Sequence, residues 1–179
     1  MFRNILVCVD GSAHAERALR EAIDLAAAER SRLTILTAVP RPPYWACNPL
    51  TAAGIEPLAN DLANEAKATL KAAVDRVPAE IPVTKILTHE PIREALMARI
   101  RSGAHDLVVM GSRGRGALSA SLLGSVSHYA LNHSRVPVLI IHTEDEAPGL
   151  AGTRPIAGED AAPGGEAAAA PGDALTAAT

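Results

Sequence analysis

The chain has 179 residues, 48% of them hydrophobic and 21% charged, with a formal net charge of −3. No apolar run approaches the roughly 18 residues that cross a bilayer, so composition points to one core-forming domain and excludes a membrane span. Two cysteines, Cys8 and Cys47, exclude a disulfide framework and a four-cysteine zinc site.

The opening decapeptide MFRNILVCVD holds an apolar run, Ile5 to Val9, that is too short for a secretory signal, so a cytoplasmic location is expected. That run is strand length and rich in β-branched residues, as are Leu33 to Val39, Val83 to Leu87, Leu107 to Met110 and Val138 to Ile141. Near-continuous hydrophobicity fits strands of a parallel sheet buried on both faces. Between them, Ala15, Ala18, Leu19, Ala22, Ile23, Leu25 and Ala26, and then Leu58, Leu62, Ala66, Leu70, Ala73, Val74 and Val77, repeat at helical spacing. A third helix is predicted from Pro91 through Ile100 with Gly103 as its C′ residue, and a fourth from Gly124-Ser125 through Leu131, ending before Pro137. Pro40 to Gly54 reads as a long connection carrying Tyr44 and Trp45.

Residues 144–179 hold seven acidic side chains against Arg154 alone, so this stretch is −6 and the preceding residues are +3. Its twelve Ala, six Gly and four Pro offer little area to bury, and it is read as a disordered tail. Residues 1–143 form the domain. The strand and helix alternation gives an α/β fold, a doubly wound five-stranded parallel sheet with helices on both faces and a ligand crevice outside the strands' carboxyl ends. The weak positive charge of this body suits a small anion better than nucleic acid.

After the fourth strand comes GSRGRGALSASLLGSVS, with Gly111, Gly114 and then Gly124-Ser125 opening a helix. A glycine at a strand end permits close approach of a ligand, a second permits positive φ, and successive amides then form an anion nest. The Gly-Ser pair adds free amides, a hydroxyl and the positive end of a helix dipole. These are parts of a phosphate site. No Walker lysine and no GxGxxG accompany them.

On these residues the chain resembles the universal stress protein family, in its nucleotide-binding branch. The likeness is carried by Ile5 to Ser12, by DLVVMGSRGRG from Asp106 to Gly116, and by GSVSHYALNHSRVPVLII from Gly124 to Ile141. The family signature G-x2-G-x9-G-[S/T] falls on Gly111, Gly114, Gly124 and Ser125 without a gap. The resemblance implies an adenine nucleotide alpha hydrolase-like fold that binds ATP, with Mg or Mn held through the phosphates. It implies contacts from Met110, Gly111, Arg113, Gly114, Gly124, Ser125, Val126 and Ser127, a ribose at Asp10, and an adenine beside the backbone of Ala38 and Val39. It also implies a homodimer through the last strand, Pro137 to His142, and an unidentified protein partner. Where many members carry a glycine in the turn after the third strand, this chain has Thr88-His89-Glu90-Pro91, a bulkier turn that narrows the crevice.

The residues also allow plainer readings. Asp10-Gly11 is a common turn, Ser12, Ser125 and Ser127 are all residue types that cap helices, and Cys8 reads as a small core residue. Arg113 and Arg115 flank Gly114 as candidate phosphate partners or as solvated loop residues. The histidines show no metal-ligating pair. Catalysis would need a nucleophile with a base, or a base with charge stabilisation, and only Asp10 stands in the right place. Binding without efficient turnover is the favoured reading, with a slow ATP hydrolase or adenylyl transferase, or a dimeric scaffold that binds no nucleotide, as the alternatives.

Overall fold

The computed structural model describes residues 1–42, 52–116 and 123–143. The expectations for Tyr44, Trp45, Cys47 and residues 144–179 lie outside the described residues. In chain order the elements are β1 (Asn4–Cys8), α1 (Ala13–Glu29), β2 (Arg32–Ala38), α2 (Ala52–Asp75), β3 (Val83–Thr88), α3 (Ile92–Arg101), β4 (Leu107–Gly111), α4 (Ser125–His133) and β5 (Val138–Ile141). The strands form one parallel sheet in the order β3-β2-β1-β4-β5. β1 pairs on one side with β2, Ile5 opposite Leu33, and on the other with β4, Ile5 opposite Leu107. The chain therefore winds outward from β1 in one direction and then in the other. The reversal opens a crevice between the carboxyl ends of β1 and β4.

Alternation along the central strands feeds two cores. Ile5, Val7, Leu33, Ile35 and Val109 pack with Leu19 and Ala22 of α1 and Leu70 of α2. Leu6, Leu36, Val108 and Met110 pack with Leu96 and Ile100 of α3 and Ala130 of α4. Helices thus cover both faces, as the continuous apolar runs require. Burial on both faces holds for β1, β2 and β4; β3 and β5 are the sheet edges, with Val83 and Leu139 each 38% exposed.

The helix ends follow local chemistry. Ser12 caps α1, its side chain accepting from the Ala15 amide at 3.3 Å. α3 follows Pro91 and is succeeded by Gly103 at φ +69°, the left-handed C′ position expected of that glycine. α2 begins earlier than the apolar spacing indicated, at Ala52 inside the stretch read as a loop, and it contains Pro57. Ala52 and Ala53 are strong helix formers, and a proline with little more than one turn before it interrupts few backbone bonds.

Candidate functional site

β4 delivers Gly111 to the crevice, where it meets α1. A Cβ built on Gly111 would stand 2.7 Å from both the carbonyl carbon and Cβ of His14 and 2.9 Å from the Ala15 nitrogen. In this arrangement the close approach that Gly111 permits is to a helix of its own chain. The next residue, Ser112, is fully buried. Its amide donates to the Ile141 carbonyl at 2.8 Å, and its carbonyl accepts from the Gly124 amide at 2.7 Å. Ser127 Oγ lies 3.0 Å from the carbonyls of both Gly111 and Ser112. Ser127 is only 3% exposed, so it ties the start of α4 to the end of β4 and is not available to a ligand in this arrangement.

Asp10 lies just past β1, half-buried. Its Oδ1 accepts from the Ser12 amide at 3.0 Å and the Ser12 hydroxyl at 2.7 Å, an Asx-type turn for which Gly11 supplies φ +80°. The turn and cap readings of Asp10 and Ser12 are therefore both realised. Oδ2 accepts from the Arg115 amide at 3.0 Å, which draws the loop after β4 onto β1. Gly114 sits directly over this carboxylate, and a Cβ there would collide with Oδ2. Positive φ among the described glycines occurs at Gly11 and Gly103, so Gly114 serves proximity to Asp10 and not an unusual backbone angle. With the Ser112 and Arg115 amides both engaged, the nest of loop amides is smaller than the motif suggested.

The start of α4 differs from that of α1. Its N-cap is Gly124, in extended conformation with no side-chain cap, and the helix's first backbone bond runs from the His128 amide to the Gly124 carbonyl at 2.9 Å. The amides of Ser125, Val126 and Ser127 precede that bond and have no acceptor within the helix. They add to the positive end of the helix dipole, which makes this terminus suited to an anion. Ser125 is exposed, Val126 is partly buried against the core beneath α3 and α4, and Arg113 is half-buried beside Gly124.

The remaining residues named from the sequence sit around this terminus less directly. The Met110 side chain is in the core, 3% exposed, and contributes only backbone at the strand end. Ala38, the last residue of β2, and Val39 just after it are half-buried, and the Val39 amide donates to the Thr88 carbonyl at 2.8 Å, so a base placed there meets no free Val39 N–H. The turn after β3 is closed by the Glu90 amide on Thr88 Oγ1 at 3.1 Å, with His89 exposed. Burial, and secondarily the charge of Asp10, push the Cys8 thiol up to about 12, which removes it as a nucleophile. Among the described residues no group of three or more His, Cys, Asp or Glu is placed to hold a metal ion, and no helix is long and apolar enough to cross a membrane.

One part of the site was not legible beforehand. The Arg115 guanidinium reaches α2, with Nη1 2.6 Å from Glu65 Oε1 and Nη2 3.3 Å from Thr69 Oγ1. These partners lie 50 and 46 positions away in sequence, and no local pattern couples them.

The model of the universal stress protein family matches residues 1–142. This chain belongs to that family. Universal stress protein YxiE of Bacillus subtilis is 36% identical over 152 residues, covering 79% of this chain and 99% of the relative. The solved structure of universal stress protein UspA from Lactobacillus plantarum shares the fold of this universal stress protein, with a TM-score of 0.66 at 23% identity over 78% of this chain and 97% of that one. A universal stress protein solved in complex with cAMP superimposes with a TM-score of 0.57 at 30% identity, covering 79% of this chain and 98% of its own.

Proposed function

We propose that this universal stress protein binds ATP and acts as a nucleotide-responsive regulatory module. The observation that carries the reading is the amino end of α4, where three helix amides stand without a side-chain cap beside the glycine-bearing loop. The 30% identical protein solved with cAMP supports an adenine nucleotide as the ligand class. Gly124 fits the group, because a side chain there would occupy the ground between loop and helix, and Gly114 keeps the loop close over the Asp10 carboxylate.

In this reading the phosphates meet the Ser125 and Val126 amides and the Ser125 hydroxyl, with Arg113 and Gly114 opposite. The ribose lies at Asp10 and the base beside the backbone of Ala38 and Val39. Bound ATP supplies concentrated negative charge and, through its phosphates, a seat for Mg or Mn. The chain supplies fixed dipoles and a carboxylate whose oxygens already hold Ser12 and Arg115, an arrangement for binding more than for turnover. Occupancy changes what a protein partner meets at this site, which requires different ligand affinities for the two states the partner distinguishes. The edge position of β5, with Leu139 exposed, supports a homodimer formed through Pro137 to His142.

Calorimetry with ATP and Mg on the full chain tests this. Micromolar binding, about −8 kcal/mol, is expected for the wild type. Gly124→Val should lose it with the far-UV spectrum unchanged. Absence of heat at millimolar ATP in the wild type refutes the reading, and rapid turnover abolished by Asp10→Ala would replace it with an enzyme.

A further inference from the structure

Asp10 already holds three hydrogen bonds from its own chain. Oδ1 accepts from the Ser12 amide at 3.0 Å and hydroxyl at 2.7 Å, and Oδ2 accepts from the Arg115 amide at 3.0 Å. A carboxylate offers about four acceptor positions, two on each oxygen. Among the described residues one therefore remains, on Oδ2. A vicinal sugar diol that spans both carboxylate oxygens needs one position on each, and Oδ1 has none to give.

The Arg115 amide is kept at Oδ2 by its own side chain. The guanidinium bonds Glu65 at 2.6 Å and Thr69 at 3.3 Å, and it lies over Gly11, where a Cβ would stand 2.6 Å from Nη2. The Arg115 and Glu65 side chains are 38% and 54% exposed, so this ion pair alone contributes little to folding. Its effect is geometric: one residue joins the loop to β1 through its backbone and to α2 through its side chain.

We infer that Arg115 is a positioning residue that holds Asp10 to a single sugar hydroxyl and thereby sets how the protein distinguishes a ribonucleotide from its deoxy counterparts. The inference rests on the nucleotide reading above. With the clasp closed, Asp10 senses one of the 2′ and 3′ hydroxyls and is indifferent to the other. Loosening the clasp frees a second acceptor and makes both count.

The test is calorimetric affinity for ATP, 2′-deoxyATP and 3′-deoxyATP, measured on the full-length wild type, Arg115→Ala and Glu65→Gln. One hydrogen bond to a charged acceptor predicts that the wild type loses about tenfold or more with one analogue and no more than about twofold with the other. In Arg115→Ala both analogues should bind about tenfold more weakly than ATP, and Glu65→Gln, which leaves the loop sequence intact, should move in the same direction. Equal penalties for the two analogues in the wild type, large or absent, overturn the inference while leaving ATP binding standing. So does a pattern that neither variant changes. Failure of the wild type to bind ATP at all removes the nucleotide reading and this inference with it.

Discussion

Gly111→Ala separates packing from ligand approach at the end of β4. The added Cβ would lie 2.7 Å from two His14 atoms and 2.9 Å from the Ala15 nitrogen, and two of these three neighbours are backbone. Carbon atoms settle at about 3.5–4.0 Å, so the first turn of α1 must retreat by about 0.8 Å. That turn carries Ala15, and the helix continues into Ala18, Leu19 and Ala22, all essentially buried against the sheet, so the retreat loosens a packed face. Overfilling a close-packed site costs about 1–3 kcal/mol, and the upper part of that range applies where the obstacle is backbone. Reduced freedom of the unfolded chain returns about 0.4–1 kcal/mol when alanine replaces glycine. The net loss is about 2 kcal/mol, a fall in Tm of about 6 °C for a domain of this size. Gly124→Ala is the control. Its nearest neighbours would be 3.4 Å away, and its cost is about 0.5–1 kcal/mol from a poorer N-cap. Thermal and urea unfolding without nucleotide, followed by far-UV circular dichroism, compare the two. If Gly111→Ala proves as stable as the wild type yet loses nucleotide affinity, the packing argument is wrong and the glycine exists for the ligand.

Ser127→Ala removes a buried hydroxyl held 3.0 Å from two carbonyls and should lower stability by about 1–2 kcal/mol in urea; an unchanged midpoint would show that it fastens nothing. With its thiol pushed up to about 12, Cys8 should escape iodoacetamide at pH 8 in the native protein and react in urea, as peptide mapping would show; native labelling at Cys8 contradicts the buried site. Burial lowers the pKa of His105, outweighing its contact with the Arg99 carbonyl. The unfolded chain, with an ordinary value of about 6.5, then binds the proton more tightly, so stability is full above that pH and falls as pH drops through and below it. His105→Gln should flatten the acid side of the stability profile, and an identical slope would assign the loss to other groups.

The fold was legible because burial leaves a direct mark on sequence. β1 and β2 read as near-continuous apolar runs since both of their faces meet helices, whereas the start of α2 was hidden by Pro57 and the prolines before it, which signal a loop while tolerating a helix that begins nearby. The site was legible in position and not in role. A glycine pattern records where a Cβ is unwelcome; it does not record what takes its place. At Gly111 the occupant is the first turn of α1, at Gly114 it is the Asp10 carboxylate, and at Gly124 the nearest atoms are the loop backbone beside the free amides of α4. Two of the three glycines therefore build the walls of the crevice, and only the last borders the amides that our reading gives to phosphate. Arg115 sharpens the point. Its backbone amide, which a loop nest would offer to an anion, goes to Asp10, and its side chain goes to α2 through partners far away in sequence. Anion recognition is thereby concentrated on the helix terminus and sugar recognition on one acceptor of Asp10, so stability should follow Gly111, phosphate affinity Gly124, and sugar selectivity Arg115, three separable effects from one loop.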